Sequence, residues 1–240
     1  RRLVLFDEPT RNQIDEQGRA VPRLIFCAAE TQAITRRLGS IMMPILLSAD
    51  DATRDALIAN AEAARVLHYS GHASFDDSDP LQSKLDLSGE ALRLGEVFSK
   101  VILSNNALTV LNGCESGQLR PDAVDDHVSF TTGFLFAGAP CVITTLWVVP
   151  DLPGALIMDE FYVHWMAGAS PAAALRAAQK RVRELRFGMK LDAAVERLTV
   201  ALGSDEAKRG RRDDSRRYVE DYCSGSDIPF ADPVFWAAFT

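Results

Sequence analysis

Two short motifs place a cysteine and a histidine beside glycines. HYSGHA spans residues 68–73, and LNGCESG spans residues 111–117. Each motif follows or overlaps an apolar run that predicts a buried strand, so each falls at the carboxyl end of a strand. In open α/β sheets, ligands and catalytic groups collect outside the carboxyl ends of the strands. We therefore expect both motifs to lie where chemistry is usual.

Cys114 and His72 are the residues of these motifs that could react. Cys114 follows Gly113, so the sequence predicts its thiol on a tight turn after the strand. A thiol is mostly protonated near pH 7, and a nearby imidazole can take its proton or stabilise the thiolate. His72, directly after Gly71, is the candidate imidazole. The alternative roles are structural: an inert buried thiol and a hydrogen-bonded histidine.

The other cysteines and histidines have no matching reactive partner in the sequence. Cys27, Cys141 and His68 fit the structural roles, Cys223 stands in a polar stretch without an evident role, and His127 and His164 have helical or loop settings. His68 and His72 are four apart, but Ser70 and Gly71 would break a shared helix, and neither an HExxH motif nor a third ligand is present. The GxSxG, GxGxxG and GxxxxGK[ST] patterns are absent as well. The sequence predicts no metal site and no cofactor.

Composition excludes several classes of protein. The chain has 240 residues, of which 47% are hydrophobic and 25% charged, which is typical of one globular domain. The net charge of -7 argues against nucleic acid as the main ligand. No apolar run approaches twenty residues, so we expect no membrane span. The four cysteines form no CxxC pair, which favours a reducing, cytoplasmic setting, and the start at Arg1 without Met suggests a fragment of a longer protein.

Strand and helix patterns alternate along the chain and predict an α/β fold with a largely parallel central sheet. Pro44 assigns the third predicted strand to an edge. The predicted strands are 2–6, 23–28, 41–47, 65–70, 107–112, 141–147 and a final one within 232–240. The predicted helices are 29–38, 51–64, a short one near 89–99, 128–138, 151–167, one from Pro171 with Ser170 as N-cap, and 190–202.

Residues 203–226 interrupt this alternation. Their AKRGRRDDSRR stretch is highly charged and has almost nothing apolar to bury. The sequence therefore predicts a flexible insertion there.

The two motifs belong to an ordered set that resembles the CHAT domain. The set is HYSGHA, LNGCESG, TTGFLFAGAPCVITTLWVVPD, LIMDEFYVHWMAGASPAAALRAAQKRV and DPVFWAAF, and it covers the chain from about residue 29 to the end. CHAT domains are caspase-like cysteine peptidases related to separase, and in bacteria they often follow tetratricopeptide repeats. The resemblance implies one CHAT domain over residues 1–240, with a caspase-like fold that carries helices on both faces of the sheet.

The resemblance also implies roles for particular residues. His72 corresponds to the catalytic histidine, and Cys114 corresponds to the nucleophile. The usual GHG of the family is GHA here, which puts the geometry of that turn in question. The backbone N–H groups of Ala73 and Cys114 are then expected to line the oxyanion hole.

Three further residues are candidates for the P1 pocket. Asp151 of LWVVPD matches a separase aspartate that faces the arginine before the cut, and a carboxylate pairs well with a guanidinium. Its alternative role is to cap the helix that follows. Asn112 falls where metacaspases carry a P1-binding aspartate, and its lack of charge weakens a basic preference. Trp147 could wall the pocket or fill the core.

The leading hypothesis is a cysteine endopeptidase that acts on protein substrates and is gated by an upstream tetratricopeptide-type or other sensor domain. The main alternative is a catalytically silent interaction scaffold of the same fold, although a scaffold has no need to keep both His72 and Cys114. A thiol hydrolase acting on a small molecule is less favoured, because no motif for a cofactor or phosphate is present.

Overall fold

The structure is a computed structural model, and it describes residues 2–7, 23–113, 116–117, 128–223 and 225–240. These residues form two compact units. The first contains the described parts of Arg1–Leu24, Leu38–Val148 and Phe239–Thr240. The second contains Ile25–Arg37 and the described parts of Val149–Ala238.

A five-stranded sheet organises the first unit. Its strands are β1 (Arg2–Asp7), β2 (Met43–Ser48), β3 (Ala64–Ser70), β7 (Leu108–Asn112) and β8 (Val142–Ile143). They lie in the order β2-β1-β3-β7-β8, and every pairing is parallel. The prediction of an α/β fold with a largely parallel central sheet is confirmed. Pro44 lies on an edge strand as predicted, where its missing N–H is tolerated.

The central strands of this sheet are buried on both faces. On β1, Val4 and Phe6 point into one hydrophobic cluster together with Leu67 and Tyr69 of β3. The alternate residues of β1 are buried to the same degree. Strands buried on both faces read as continuous apolar runs, which is why β1, β3 and β7 could be recognised from the sequence.

Three helices and a small antiparallel sheet complete the first unit. The helices are α2 (Arg54–Ala61), α3 (Leu94–Lys100) and α4 (Phe130–Phe136), and the sheet joins β4 (Ala73–Ser74), β5 (Lys84–Leu85) and β6 (Leu92–Arg93). Residues of all three helices enter the cluster around Tyr69. The helix predicted from residue 51 begins later, because Thr53 is its N-cap and accepts from the Ala56 N–H at 3.1 Å.

The second unit is helical in the part of the chain that the structure describes. Its helices are α1 (Cys27–Leu38), α5 (Asp151–Met166), α6 (Pro171–Arg183), α7 (Met189–Thr199) and α8 (Asp205–Tyr222), with the last residue of α1 assigned to the first unit. The predicted stripe of α6 is confirmed, since Ala174, Leu175, Ala178 and Val182 are all buried. The Ser170 cap is confirmed too, because its hydroxyl accepts from the Ala173 N–H. No helix in the described ranges is both long and apolar enough to cross a membrane.

A partly buried ion cluster joins α1, α5 and α7 of the second unit. The fully buried carboxylate of Asp159 on α5 accepts from Arg37 of α1 at 2.6 Å and from Arg197 of α7 at 2.9 Å. Glu160 accepts from the same Arg197 at 2.5 Å. Paired and hydrogen-bonded in this way, the buried charges avoid the full cost of desolvation.

One predicted strand is wrong, and the final predicted strand is confirmed only where it meets the sheet. Residues 23–28 form no strand, because α1 begins at Cys27. A short apolar run such as RLIFCA cannot be separated from the start of a helix by periodicity alone. Residues 232–240 contain a short 3₁₀ helix at Pro233–Phe235 and meet the sheet edge through a single bridge between Thr145 and Phe239.

The segment 203–226, for which a flexible insertion is predicted, contains the helix α8 over Asp205–Tyr222. Ser204 caps the helix by accepting from the Ala207 N–H at 3.1 Å. Arg216 pairs with Asp192 of α7 at 3.2 Å, and only Ser215 and Val219 of α8 are buried. A helix with so narrow an apolar stripe depends on caps and ion pairs, and these do not produce a periodic hydrophobic pattern.

Candidate active site

Neighbouring parallel strands bring the two motifs to one edge of the sheet. Ser70 at the end of β3 pairs in register with Asn112 at the end of β7. One residue further, the Gly71 N–H donates to the Asn112 carbonyl at 3.2 Å. The chain therefore leaves both strands at the same level, with His72 following one and Gly113 following the other.

The turn after β3 is held by a buried phenol. The Tyr69 hydroxyl shares its proton between the carbonyl oxygens of His72 at 2.5 Å and Asp86 at 2.7 Å. The Asp86 N–H donates to the same His72 carbonyl at 2.9 Å. Ala73 lies in β4, an extended strand conformation that accepts a Cβ, so the GHA sequence is compatible with this turn.

The turn after β7 is described on both sides of the candidate nucleophile. Cys114 itself lies outside the described residues, as do Glu115 and His127. The Gly113 carbonyl accepts from the Ser116 N–H at 3.3 Å and from the Thr145 hydroxyl at 2.6 Å. The Gly117 N–H donates to the Thr145 carbonyl at 2.8 Å.

Both glycines of this turn have close neighbours, and the contacts are tighter at Gly117 than at Gly113. A Cβ on Gly113 would lie 3.1 Å from the Ala73 Cβ and 3.1 Å from the Gly71 carbonyl oxygen. A Cβ on Gly117 would lie 2.4 Å from the Thr144 hydroxyl oxygen. The small residues of LNGCESG therefore let the two turns and the end of β8 approach one another.

The three P1-pocket candidates have different settings. Asn112 is half-buried at the end of β7, and Trp147 is half-buried after β8, between the exposed Leu146 and Val148, so it does not fill the core. Both belong to the first unit, whereas Asp151 is the first residue of α5 in the second unit. The P1 role of all three stays a prediction.

Asp151 has a backbone partner that neither interpretation anticipated. Its carboxylate accepts from the Phe26 N–H at 2.8 Å, just before α1, while Pro150 is the N-cap of α5. The carboxylate therefore serves the start of α1 rather than the start of its own helix. Burial, with a further contribution from the nearby Glu30, raises the pKa of Asp151 to about 7.

The other described thiols have settings that disfavour reaction. Burial raises the pKa of the Cys141 and Cys223 thiols, which lowers the fraction present as thiolate near neutral pH. Cys27 is buried at the start of α1. His68 is fully buried within β3, as its structural interpretation requires. Among the described residues, no three His, Cys, Asp or Glu side chains are grouped to hold a metal ion.

Two residues that touch these turns were not singled out from the sequence. Tyr69 belongs to HYSGHA, so its position inside a candidate motif was a usable signal. Thr145 stands in the run CVITTLW, where threonine is an ordinary strand residue, and its contact with Gly113 joins residues 32 apart. No local pattern reports such a contact.

Comparisons with known proteins agree with the motifs. The family model of the CHAT domain matches residues 2–240. The chain is also 30% identical over 110 residues to tetratricopeptide repeat protein 28 of Homo sapiens and, at the same identity, to that of Mus musculus. Each match covers 46% of this chain and only 4% of the relative.

Two solved structures show a likeness to this chain. The Arg-specific cysteine proteinase gingipain R is 13% identical, with a TM-score of 0.48, and the likeness covers 86% of this chain and 44% of that one. The complex of Porphyromonas gingivalis RgpB pro- and mature domains gives the same identity and TM-score, covering 88% of this chain and 44% of its counterpart.

Proposed function

The chain belongs to the CHAT domain family, and we propose that it is a caspase-like cysteine endopeptidase that uses Cys114 and His72. The observation that carries this proposal is the pairing of β3 with β7. Because Ser70 and Asn112 are in register, β3 and β7 end at the same edge of the sheet, and His72 and Cys114 each come two residues later in the sequence. This arrangement supports a dyad that acts on one substrate carbonyl.

In the proposed reaction, the Cys114 thiol gives its proton to His72, and the sulfur attacks the carbonyl carbon of the scissile peptide. A C–S bond forms while the π electrons of the carbonyl move to its oxygen. When this tetrahedral intermediate collapses, the C–N bond breaks and His72 returns the proton to the leaving amine. Water, deprotonated by His72, then hydrolyses the thioester and frees the thiol.

The negative oxygen of the intermediate needs hydrogen-bond donors. We assign this role to the backbone N–H groups of Ala73 and Cys114. Ala73 supports the assignment because it lies directly after His72, and a Cβ added to Gly113, the residue before Cys114, would come within 3.1 Å of the Ala73 Cβ. Donors fixed in advance stabilise charge that appears only in the transition state.

Specificity and regulation are parts of the same proposal. A basic P1 residue is proposed from the separase-like sequence position of Asp151, and Asn112 and Trp147 are each proposed as P1 candidates from their own sequence positions. Gating by a tetratricopeptide-type or other sensor domain is proposed because the chain is similar to part of tetratricopeptide repeat protein 28. A cytoplasmic location stays a prediction.

Cleavage of a proteome-derived peptide library by the full-length protein tests the dyad. Cys114→Ala and His72→Ala should each lower proteolysis by at least about a thousandfold, because each removes one half of a unit. The double variant should be no worse than either single variant for the same reason.

Cys27→Ala, Cys141→Ala and Cys223→Ala are the matched controls and should keep the rate of the chemical step. A Cys114→Ala protein that cuts at the normal rate would show the mechanism to be wrong. No turnover by the full-length protein in the presence of its binding partners would instead favour the scaffold.

A further inference from the structure

Two hydroxyl groups donate to the two carbonyls that precede the proposed oxyanion donors. The Tyr69 hydroxyl contacts the His72 carbonyl oxygen at 2.5 Å, and Ala73 follows His72. The Thr145 hydroxyl contacts the Gly113 carbonyl oxygen at 2.6 Å, and Cys114 follows Gly113. The same relation therefore occurs in both turns.

This relation matters because a carbonyl and the following N–H belong to one planar peptide group. In a trans peptide the two bonds point in opposite directions. A donor that holds the carbonyl of one residue therefore sets the direction in which the next N–H points. It also polarises the peptide group, which strengthens that N–H as a donor.

The hydroxyls are themselves held in place. Thr145 is 1% exposed and Tyr69 is 0% exposed. The Thr145 N–H donates to the Ser116 hydroxyl at 3.1 Å, and this hydroxyl donates to the Leu111 carbonyl of β7 at 3.1 Å. Thr145 thus contacts Gly113, Ser116 and Gly117, the described residues on both sides of Cys114.

The His72 carbonyl is held from a second side as well. The Asp86 N–H donates to it at 2.9 Å, directly next to the Ala73–Leu85 pair of the ladder between β4 and β5. Tyr69 belongs to β3, so its phenol connects the sheet to this ladder. Loss of the phenol would remove the Tyr69 hydrogen bond to the His72 carbonyl.

We propose that Tyr69 and Thr145 are paired positioning residues that aim the Ala73 and Cys114 N–H groups at the oxyanion. The inference rests on the proposed function. It assigns neither hydroxyl a contact with substrate. The proposed role of the two hydroxyls differs from a purely structural one, because it affects how well the enzyme stabilises a charge that exists only during the reaction.

The test compares two reactions of Cys114 in the full-length protein. Hydrolysis of a library-selected peptide places negative charge on the substrate oxygen and needs the donors. Alkylation by iodoacetamide forms an S–C bond while the C–I bond breaks and iodide leaves, so no oxyanion arises. A peptide aldehyde with the same sequence adds the thiol to its carbonyl and again places charge on oxygen.

Tyr69→Phe and Thr145→Val should each lower kcat by about tenfold, because each leaves one N–H less well aimed. KM and the alkylation rate of Cys114 should be unchanged, and aldehyde affinity should weaken by a similar factor. Thr145→Ser keeps the hydroxyl and should restore kcat. The double variant should have a lower kcat than either single variant, because the two hydroxyls act on separate peptide groups.

Thr109→Val is the matched control. Thr109 is a fully buried threonine of β7 whose hydroxyl bonds to Asn106, and its substitution should cost stability without lowering kcat. If the wild-type protein is active and the Tyr69→Phe and Thr145→Val variants keep its kcat, this inference is overturned. The proposed function is then unaffected. Equal losses in hydrolysis and alkylation would overturn the inference too, because they indicate general disorder. Wild-type protein that neither hydrolyses the peptide nor binds the aldehyde would overturn the proposed function, and the inference with it.

Discussion

The turn after β3 and the turn after β7 are held by similar hydrogen bonds, but the two donors lie at different distances along the chain. The His72 carbonyl is held by Tyr69, three residues earlier. The Gly113 carbonyl is held by Thr145, 32 residues later. The first turn thus contains its own support, whereas the second acquires it only when β8 pairs with β7. Variants that disturb β8 should therefore affect the β7 turn selectively.

Asp151→Asn tests whether recognition of a basic P1 residue depends on a carboxylate that belongs to neither turn. If Asp151 recognises a basic P1 residue, this change should lower cleavage after Arg and Lys by at least about 30-fold, because it removes one partner of a desolvated charge pair. Alkylation of Cys114 should be unchanged. A peptide library cut by both proteins measures the effect. Unchanged specificity, or a wild-type preference for acidic or apolar P1 residues, would contradict the P1 role.

Asp151→Asn should also change how the free energy of unfolding depends on pH. The pKa of Asp151 rises from its ordinary value of 3.8 to about 7 in the folded protein, so the folded state binds more protons between these values. The free energy of unfolding should therefore fall by a few kcal/mol as pH rises from about 4 to about 7. Asp151→Asn should flatten this part of the profile. Urea unfolding across that range tests it, and parallel profiles for the two proteins would contradict it.

Gly117→Ala disturbs the β7 turn and leaves the β3 turn intact. The new Cβ would meet the Thr144 hydroxyl at 2.4 Å and the Thr144 Cβ at 2.9 Å. We expect a loss of about 1–3 kcal/mol in unfolding free energy and at least about a tenfold loss in kcat, because the nucleophile turn shifts. Denaturant unfolding and peptide hydrolysis measure the two effects.

Gly95→Ala is the control for this change, since its Cβ would have its nearest neighbour at an ordinary 3.5 Å. It should leave both quantities near wild type. A Gly117→Ala protein with wild-type kcat would show that the β7 turn does not depend on its approach to β8.

Ser116→Ala gives a smaller effect on the same turn. It removes the donor to the Leu111 carbonyl and the acceptor of the Thr145 N–H. We expect a stability loss of about 1–2 kcal/mol and a few-fold loss in kcat. Ser83→Ala is the comparison, because Ser83 is also 1% exposed and accepts from the Asp76 N–H at 3.1 Å. Ser83→Ala should lower stability without lowering kcat. Equal losses of kcat in Ser83→Ala and Ser116→Ala would show that the hydrogen bonds of Ser116 have no special importance for catalysis.

Much of the fold could be predicted because its signals are local. β1, β3 and β7 each contain a short apolar run, and α6 has both a hydrophobic stripe and a serine cap. α8 could not be predicted in this way, because only Ser215 and Val219 of the helix are buried and Arg216 finds its partner, Asp192, on another helix. RLIFCA was misassigned because a short apolar run fits a strand and a helix start equally well.

For the candidate site, the sequence by itself determined the reactive residue types, the glycines around them and their place after two buried strands. Only the tertiary structure decided that β3 and β7 are neighbours and that Thr145 reaches Gly113. It also decided that Asp151 accepts from Phe26, which is 125 residues away in the chain. The physical reason is that periodicity and turn residues are properties of a short segment, whereas hydrogen bonds between distant residues depend on the path by which the chain returns.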